Sequence, residues 1–313
     1  MERFTSKVLM FGEYSLLYNS MALTIPFDKF SGQFSYANPD DKDSLAMSSN
    51  QGLRKFCNHI LENHTDEQFK LNVQKFKAEL DKGLFFESNI PQGFGLGSSG
   101  ALVAAIFLRY LDKAGDLKDE LKVLTVEKIK SLKATLGGLE GYFHGTSSGI
   151  DPLSILINEP LLVKSNFDIV PVNIPAYKED GKHVVFLLNT GMARNTDKLV
   201  QTFRANCETV EFRTRLEEVL TPTTNEGINS FLKADIENLY FNLYNLSKFQ
   251  LTEMPYLIPE VYQPAFQQGL DSGDYFLKLC GAGGGGFMLG FTENWDTTQE
   301  KLKGQDLEIL YRF

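Results

Sequence analysis

The chain lacks several features that mark common classes of protein. Its 313 residues include only three cysteines, Cys57, Cys207 and Cys280, and none belongs to a Cys-x-x-Cys pair. Neither a disulfide framework nor a cysteine zinc site is indicated, so we expect a reduced, cytoplasmic protein. The chain has no apolar run of about 18 residues, and its first segment, MERFTSKVLMFGEY, has no apolar signal core. The sequence therefore predicts neither a membrane span nor standard secretion.

An excess of positive charge is missing as well. The chain has 31 Lys and Arg against 40 Asp and Glu, a formal net charge of −9. A broad nucleic-acid surface requires a basic face, so no nucleic-acid partner is expected. An acidic protein can still bind polyphosphate, because local backbone N–H groups and a metal ion do that work. With 42% apolar residues and this length, the sequence predicts a folded protein of about two domains.

Strands and helices are mixed along the chain rather than strictly alternating, which favours an α+β fold. A cluster of charge and glycine at Lys178–Lys182 predicts a boundary between domains at 1–180 and 181–313. The helix that begins at Ser98 has a nearly continuous apolar surface and is expected to be central and buried. The segment Asn38–Ser49 is predicted as a loop or the end of a hairpin, and Leu153–Ile157 as a short helix or strand. The other predicted strands are Lys7–Phe11, Leu16–Pro26, Gly32–Tyr36, Leu84–Asn89, Val184–Leu188, Tyr275–Cys280 and Phe287–Phe291, and the other predicted helices are Gly52–His64, Val126–Phe143, Asn195–Asn206, Ile228–Leu246 and Pro264–Ser272.

The segment Pro91–Gly100, PQGFGLGSSG, lies between a predicted strand and the apolar helix. Glycines allow a ligand to approach the backbone, and a helix start offers unpaired N–H groups at the positive end of its dipole. Such a site suits phosphate. A plain strand-to-helix turn with Ser98 or Ser99 as N-cap needs only one or two glycines. The four glycines here therefore favour phosphate binding.

Two common nucleotide folds are not indicated. Gly95–Gly100 and Gly281–Gly286 both fit the pattern G-x-G-x-x-G, but the dinucleotide fold also requires a strand-ending acid about 20 residues on. The corresponding region, Asp112–Glu120, is a polar stretch after a helix. A Walker A loop requires Gly-Lys-[Ser/Thr], which is absent from the sequence. The four consecutive glycines that end at Gly286 exceed the needs of a hairpin, so we expect a ligand or the first glycine loop to approach them.

Two acidic residues and a histidine lie in the last turn of the predicted helix Val126–Phe143 and shortly after it. Glu140 and His144 are four residues apart and share a helix face, and Asp151 follows shortly afterwards, directly before Pro152. Each has a structural explanation. An Asp before Pro is a good N-cap, a histidine at a helix end can face the dipole, and Glu140 can be a solvated charge. Taken singly, each residue fits a structural role better than a chemical one.

Five segments in order resemble the GHMP kinases, the superfamily of galactokinase, homoserine kinase, mevalonate kinase and phosphomevalonate kinase. Lys7–Tyr14, Pro91–Ala101 and Lys278–Phe287 resemble its three ordered motifs. Glu140–Asp151 resembles the E…HG-x-x-SG-x-D segment of mevalonate kinases, and Asn189–Thr196 resembles their N-T…T segment. The matches span residues 7 to about 290, with none in 30–85 or 205–270. The chain is therefore identified as similar to GHMP kinases, and to mevalonate kinases in particular.

The resemblance implies a two-domain α+β GHMP kinase fold with the active site between the domains. It implies ATP and Mg²⁺ as cofactors and a small-molecule alcohol as acceptor, with mevalonate phosphorylated at its primary hydroxyl. Asp151 matches the catalytic aspartate and Lys7 the lysine beside it, while Ser99 and Glu140 occupy the Mg²⁺-ligand positions, both as hard oxygen donors. The nucleotide is expected at Gly93, Gly95, Leu96, Gly97, Ser98, Ser99 and Gly100, and the acceptor at Glu13, Tyr14, Thr196 and Gly283.

Three positions depart from the family pattern. Gly100 stands where Ala is usual, Tyr14 where mevalonate kinases usually have His, and Cys280 where Thr is usual. Tyr14 and Cys280 lie close to the matched site segments, so they concern the acceptor rather than the phosphate chemistry. The alternatives are a kinase for another alcohol, phosphorylated alcohol or sugar, and a catalytically silent binding protein. A galactokinase is disfavoured because its usual G-R-x-N-x-I-G-E-H start is absent.

Overall fold

The computed structural model describes residues 2–37, 44–63, 70–111, 117, 121, 123–165, 168–192 and 196–313. Within these ranges the chain forms two antiparallel sheets with helices packed around them, which confirms the α+β prediction. The first sheet lies in the N-terminal half and contains β1 (Arg3–Phe11), β2 (Ala22–Tyr36), β3 (Leu84–Ser88), β4 (Leu161–Val163) and β5 (Ile169–Pro171). The long strand β2 is its centre, because it pairs with β1, β3 and β4.

The second sheet lies in the C-terminal half. Its strands are β6 (Val184–Asn189), β7 (Tyr275–Leu279), β8 (Phe287–Thr292) and β9 (Asp306–Arg312), in the order β7-β8-β6-β9. Strands β6, β7 and β8 are almost entirely buried, so their side chains form the core of this half. The change of sheet falls between Pro171 and Val184, where the sequence predicts a domain boundary. The division into domains at residue 180 stays a prediction.

Helices cover the sheets and fill the space between them. Helix α3 (Ser98–Tyr110) begins at the first glycine loop, and nine of its 13 residues are buried, which confirms the expected central helix. It packs against α5 (Ile150–Ile157) and β1. The described helices are α1 (Ser44–Asn63), α2 (Val73–Asp81), α3 (Ser98–Tyr110), α4 (Val126–His144), α5 (Ile150–Ile157), α6 (Thr196–Asn206), α7 (Val210–Arg215), α8 (Thr221–Leu232), α9 (Ile236–Glu253), α10 (Gln263–Ser272) and α11 (Trp295–Lys301).

The N-terminal part of α1 corrects one prediction. The polar segment Asn38–Ser49 was expected to be a loop, but its described part, from Ser44 onward, is helical. Polar side chains tie this helix to its neighbours: Ser49 Oγ donates to the carbonyl of Phe86, and Asn50 Nδ2 donates to the carbonyl of Leu84 at 2.6 Å. These tertiary contacts outweigh the weak apolar pattern of the segment. Residues 38–43 lie outside the described part of the chain.

The segment Leu16–Pro26 also differs from its prediction as a strand. Ser15–Tyr18 is a 3₁₀ helix, and Asn19 ends it in the left-handed conformation with φ of 61°. The strand starts only at Ala22 and then continues without a break through Gly32–Tyr36, so two predicted strands are one. The elements that the sequence did not predict are short or lie at the end of the chain: α2, α7, α11, β4, β5 and β9.

Two predicted absences bear on the protein's class. All three cysteines are free and buried, in agreement with the expectation of no disulfide framework. Among the described residues, no helix combines the length and the apolarity needed to cross a bilayer.

Candidate active site

The first glycine loop ends at the N-terminus of α3. Gly97 is the N-cap residue in the left-handed conformation, with φ of 77°, and no described side chain caps the helix. A Cβ at this position would lie 3.2 Å from Lys7 Cγ and 3.1 Å from Ile155 Cδ1, so a larger residue would be both strained and crowded. The first-turn N–H groups therefore face the loop without a side-chain acceptor, as an anion site requires.

Lys7 and Asp151 meet beside this loop. The N–H of Lys7 donates to the carbonyl of Leu96 at 3.1 Å, which sets β1 against the loop. Lys7 Nζ lies 2.7 Å from Asp151 Oδ1, with the lysine side chain 7% exposed and the aspartate side chain 40% exposed. Asp151 is not an N-cap, because Gly149 holds that position and Asp151 lies in the first turn of α5. Its structural explanation as a cap is therefore wrong.

The starts of α3 and α5 are in close contact. A Cβ on Gly100 would lie 3.0 Å from Pro152 N and 3.3 Å from Asp151 Cβ. Gly100, which stands where the family usually has alanine, thus lies where the two helices are in contact. Two helix N-termini, each the positive end of a dipole, meet where the sequence predicts the triphosphate.

Two serine hydroxyls bind the carboxylate of Glu140, and a histidine lies against one of them. Ser99 Oγ donates to Glu140 Oε1 at 3.0 Å, and Ser147 Oγ donates to Glu140 Oε2 at 2.5 Å. His144 Nε2 lies 2.9 Å from Ser99 Oγ. Since the one hydroxyl hydrogen of Ser99 points to Glu140, His144 donates from Nε2. The structure therefore brings together Ser99 and Glu140, the two residues predicted to bind metal.

Glu140 is buried, being 4% exposed, so it is not a solvated helix charge. Burial and the nearby negative charge of Asp151 raise the pKa of Glu140 to about 7, and the hydrogen bonds from Ser147 and Ser99 and the charge of Lys7 oppose that rise. A carboxylate with a raised pKa, close to a second carboxylate and a lysine, is a common property of functional sites.

The second glycine loop, Gly281–Gly286, joins β7 to β8 and touches the first glycine loop. A Cβ on Gly286, where φ is 69°, would lie 2.9 Å from Phe94 Cα, so only glycine permits this contact. The rings of Phe94 and Phe287 pack edge to face, with centroids 5.3 Å apart. The approach of the first loop, one of the two explanations offered for these glycines, is confirmed.

Comparisons with known proteins agree on one family. Residues 60–157 match the family of GHMP kinases N terminal domain. The chain has the fold of the GHMP kinases. A mevalonate kinase of L. major, solved in complex with R-mevalonate, is 16% identical, with a TM-score of 0.63 over 99% of this chain and 95% of that one. The Streptococcus pneumoniae phosphomevalonate kinase, solved with phosphomevalonate and AMPPNP, is 14% identical, with a TM-score of 0.59 over 98% and 99%.

A galactokinase of Ligilactobacillus salivarius (strain UCC118) is 30% identical over 42% of this chain. The matched stretch spans 33% of the galactokinase. The similarity to GHMP kinases inferred from the five sequence segments is thus confirmed, and the relatives with this fold include both mevalonate and sugar kinases.

All seven residues predicted to bind nucleotide lie in one continuous stretch of this GHMP kinase fold. They form the loop before α3 and its first turn: Gly93, Gly95, Leu96, Gly97, Ser98, Ser99 and Gly100. The two predicted catalytic residues flank the stretch, with Lys7 beside Gly97 and Asp151 beside Gly100. Their assignment as nucleotide-binding and catalytic residues stays a prediction.

The four residues predicted to bind the acceptor lie in different segments of the chain and differ in their contacts. Glu13 is 2% exposed and its Oε1 lies 2.6 Å from Lys278 Nζ. Tyr14 donates its hydroxyl hydrogen to the carbonyl of Ala282 at 2.6 Å. Gly283 packs on Leu257. Thr196 is the first residue of α6, and its side chain lies outside the described atoms.

Two polar residues of the site were not singled out from the sequence. Ser147 follows Glu140 by seven residues in the run Thr146-Ser-Ser-Gly149, and its hydroxyl also accepts from the N–H of Gly149 at 3.0 Å. That serine-rich run was the available signal. Lys278 begins the third matched motif, but nothing local indicates that its partner is Glu13.

Proposed function

We propose that this chain is an ATP-dependent phosphotransferase that transfers the γ-phosphoryl group of ATP to the primary hydroxyl of mevalonate. The Lys7–Asp151 ion pair beside the start of α3 carries the proposal. It places a carboxylate and an ammonium group together next to a loop whose backbone is suited to phosphate.

The loop Gly93–Gly100 would hold the triphosphate. Its glycines keep the backbone bare, and the first-turn N–H groups of α3 point at the loop. The N-terminus of α5 adds a second positive dipole end at Gly100. Phosphate binding on this acidic protein then depends on local backbone groups rather than on net charge.

The donor set beside the loop fits Mg²⁺. Ser99 and Glu140 offer a hydroxyl and a carboxylate, the hard oxygen ligands that this ion prefers. Among the described residues, no group of three or more His, Cys, Asp or Glu side chains could hold a metal alone. That agrees with Mg²⁺, which usually takes one or two carboxylates together with waters and phosphate oxygens. When bound, the ion would neutralise charge on the phosphate oxygens.

The chemistry expected of the chain's own residues is positioning and proton acceptance. As the acceptor oxygen bonds to the γ-phosphorus and the bond to the bridging β,γ-oxygen breaks, ADP leaves and the hydroxyl proton passes to Asp151. Lys7 Nζ, 2.7 Å from that carboxylate, holds it in place and stabilises negative charge on the attacking oxygen. Most of the rate should come from this positioning and charge neutralisation.

The mevalonate assignment depends on the segment Glu140–Asp151. Its spacing resembles mevalonate kinases, and the L. major enzyme with the same fold was solved with R-mevalonate. A second candidate is a sugar kinase, which the 30% identity to a galactokinase over part of the chain favours.

The test is a comparison of kcat/KM for mevalonate, phosphomevalonate, homoserine and galactose with Mg-ATP. We expect mevalonate to be preferred by a wide margin, because a polar pocket rejects an analogue that lacks a matched hydroxyl by up to about 10⁴–10⁵-fold. A preference for galactose or another acceptor overturns the mevalonate assignment and leaves the kinase assignment. Nucleotide binding without turnover of any of the four contradicts the mevalonate assignment and favours an acceptor outside this panel or a silent binding protein.

A further inference from the structure

A buried ion pair joins the two sheets. Glu13 follows the end of β1 in the first sheet, and Lys278 lies in β7 of the second. Glu13 Oε1 and Lys278 Nζ are 2.6 Å apart, and the two side chains are 2% and 1% exposed. Lys278 Nζ also donates to the carbonyl of Leu279 at 2.7 Å. The ion pair thus holds the end of β7, two residues before the second glycine loop.

Tyr14 makes a second attachment to the same loop. Its hydroxyl donates to the carbonyl of Ala282 at 2.6 Å, and its ring packs on Phe203 with centroids 4.4 Å apart. Its backbone has φ of 62°, a conformation that costs a tyrosine free energy and directs the side chain toward the loop. Two consecutive residues after β1 therefore attach to this region, Glu13 to Lys278 in β7 and Tyr14 to Ala282 in the loop.

The other end of the loop supports the nucleotide side. The N–H of Gly286 donates to the carbonyl of Met192 at 2.8 Å, and Thr190 Oγ1 donates to the carbonyl of Gly286 at 2.7 Å. Between these bonds Gly286 lies against Phe94, within the first glycine loop. The start of the loop at Gly281 is thus joined to Phe94 through a loop of six residues.

Stability alone does not explain a charged pair at this depth. Replacing a buried ion pair by apolar residues of similar volume is often neutral or stabilising, because both charges lose their hydration. The pair supplies a specific geometry, because it forms only when the segment after β1 and strand β7 take one relative position.

We propose that Glu13 and Lys278 are a positioning pair for the nucleotide site: they fix the start of the loop Gly281–Gly286, so that its end supports the phosphate loop at Phe94. Glu13 then acts through the loop rather than as the acceptor contact expected from the sequence. That the bound ligand is a nucleotide rests on the proposed function, whereas the coupling between the ion pair and the loop Gly281–Gly286 does not.

The test uses the double variant Glu13→Gln/Lys278→Met, which removes both charges at similar volume. We expect it to fold, with the dissociation constant for AMPPNP and Mg²⁺ raised by roughly 5- to 150-fold, the usual range of coupling between two sites. Backbone amides of Gly281–Gly286 should exchange hydrogen faster than in the parent chain. The single variant Glu13→Gln should lower the melting temperature, because it leaves Lys278 charged and buried without its partner. The charge-reversed double variant Glu13→Lys/Lys278→Glu again places opposite charges at these two positions. It should recover part of the affinity for AMPPNP.

Lys29 and Glu308 provide the matched control. This ion pair also joins the two sheets, from β2 to β9, but its side chains are 46% and 37% exposed and lie outside the loop contacts. Lys29→Met/Glu308→Gln should change neither the AMPPNP affinity nor the exchange of the loop amides. Unchanged affinity and unchanged exchange in a folded Glu13→Gln/Lys278→Met variant would overturn the positioning role. If the parent chain itself does not bind AMPPNP, the proposed function is wrong, and the amide exchange alone decides the inference.

Discussion

Lys7 Nζ lies 2.7 Å from Asp151 Oδ1, and the two residues differ sharply in their access to solvent. The side chain of Lys7, which lies within β1, is buried, whereas the aspartate side chain is 40% exposed. One oxygen of the carboxylate is thus bound to Lys7, and the side chain remains open to an incoming hydroxyl. Substitutions in this ion pair, in the loop Gly93–Gly100 and at the carboxylate of Glu140 test the roles proposed for them.

Asp151→Asn should leave the fold intact and lower turnover by roughly 10²–10⁴-fold, the usual effect of losing a positioned acid or base. Asn keeps the size of the side chain and is tolerated near a helix start, but it cannot accept the proton. The measurement is kcat with the best acceptor, alongside circular dichroism and the melting temperature.

Asp235→Asn is the control for that change. Asp235 is the N-cap of α9, far along the chain, and its carboxylate accepts from Asn238. Because Asn caps a helix as well as Asp does, turnover should stay at the parent value. Normal turnover in a folded Asp151→Asn variant would return Asp151 to a purely structural role.

Glu140→Gln should raise the Mg²⁺ concentration needed for half-maximal activity, because a neutral amide binds a divalent cation less strongly than a carboxylate does. The readout is a Mg²⁺ titration at fixed ATP. Glu127→Gln, an exposed position in the first turn of the same helix, should not change the titration. An unaltered Mg²⁺ dependence in Glu140→Gln would remove Glu140 from the metal site.

Glu140 should also make stability depend on pH. In the unfolded chain this carboxyl ionises near its ordinary pKa of 4.5, whereas in the folded protein its pKa is about 7. Between these values the folded state holds more protons, so its contribution to the free energy of unfolding falls as the pH rises. Glu140→Gln carries no such proton. Its stability relative to the parent chain should therefore rise from about pH 5 to about pH 8, by at most about 3 kcal/mol.

Denaturant unfolding of both chains across this pH range checks the sign. A difference in the free energy of unfolding that stays constant with pH would show that Glu140 keeps an ordinary pKa. A difference that changes in the opposite direction would mean that Lys7 and the two serines outweigh burial.

Gly97→Val should abolish or strongly weaken nucleotide binding and destabilise the protein. A branched side chain is strained at φ of 77° and would press on Lys7 and Ile155. Binding of AMPPNP by calorimetry measures the first effect, and thermal unfolding the second. Gly52→Ala is the control: its Cβ meets no atom within 4 Å in the interior of α1, so it should stabilise by up to about 1 kcal/mol. Undiminished binding in Gly97→Val would place the phosphates elsewhere.

The parts of the site that follow local rules could be predicted from the sequence. The loop Gly93–Gly100 is a run of glycines and serines before an apolar helix, and helix start, backbone freedom and burial all follow from that pattern. The proximity of Ser99, Glu140 and Asp151 could not be derived from spacing. That proximity was inferred from the resemblance to the GHMP kinases. In the structure, Ser99 binds Glu140, and Asp151 lies against Gly100, the next residue of the chain after Ser99.

Contacts between distant segments were beyond sequence reasoning. Glu13 and Lys278 are 265 residues apart, and neither segment contains a feature that selects the other. The bond from the Tyr14 hydroxyl to the carbonyl of Ala282 likewise joins segments 268 residues apart. The polar start of α1 was mistaken for a loop because the hydrogen bonds of Ser49 and Asn50 to α2 and β3 exist only in the folded chain.

The pairing of Glu13 with Lys278 also affects the order in which the chain can mature during translation. Lys7, Ser99, Glu140 and Asp151 have all been synthesised by the middle of the chain, long before β7. Burying the carboxylate of Glu13 at that stage would leave it desolvated without a counter-ion, at a cost of several kcal/mol. On the ribosome, we therefore expect the segment after β1 to stay hydrated until Lys278 emerges, and this ion pair can form only after β7 has been synthesised.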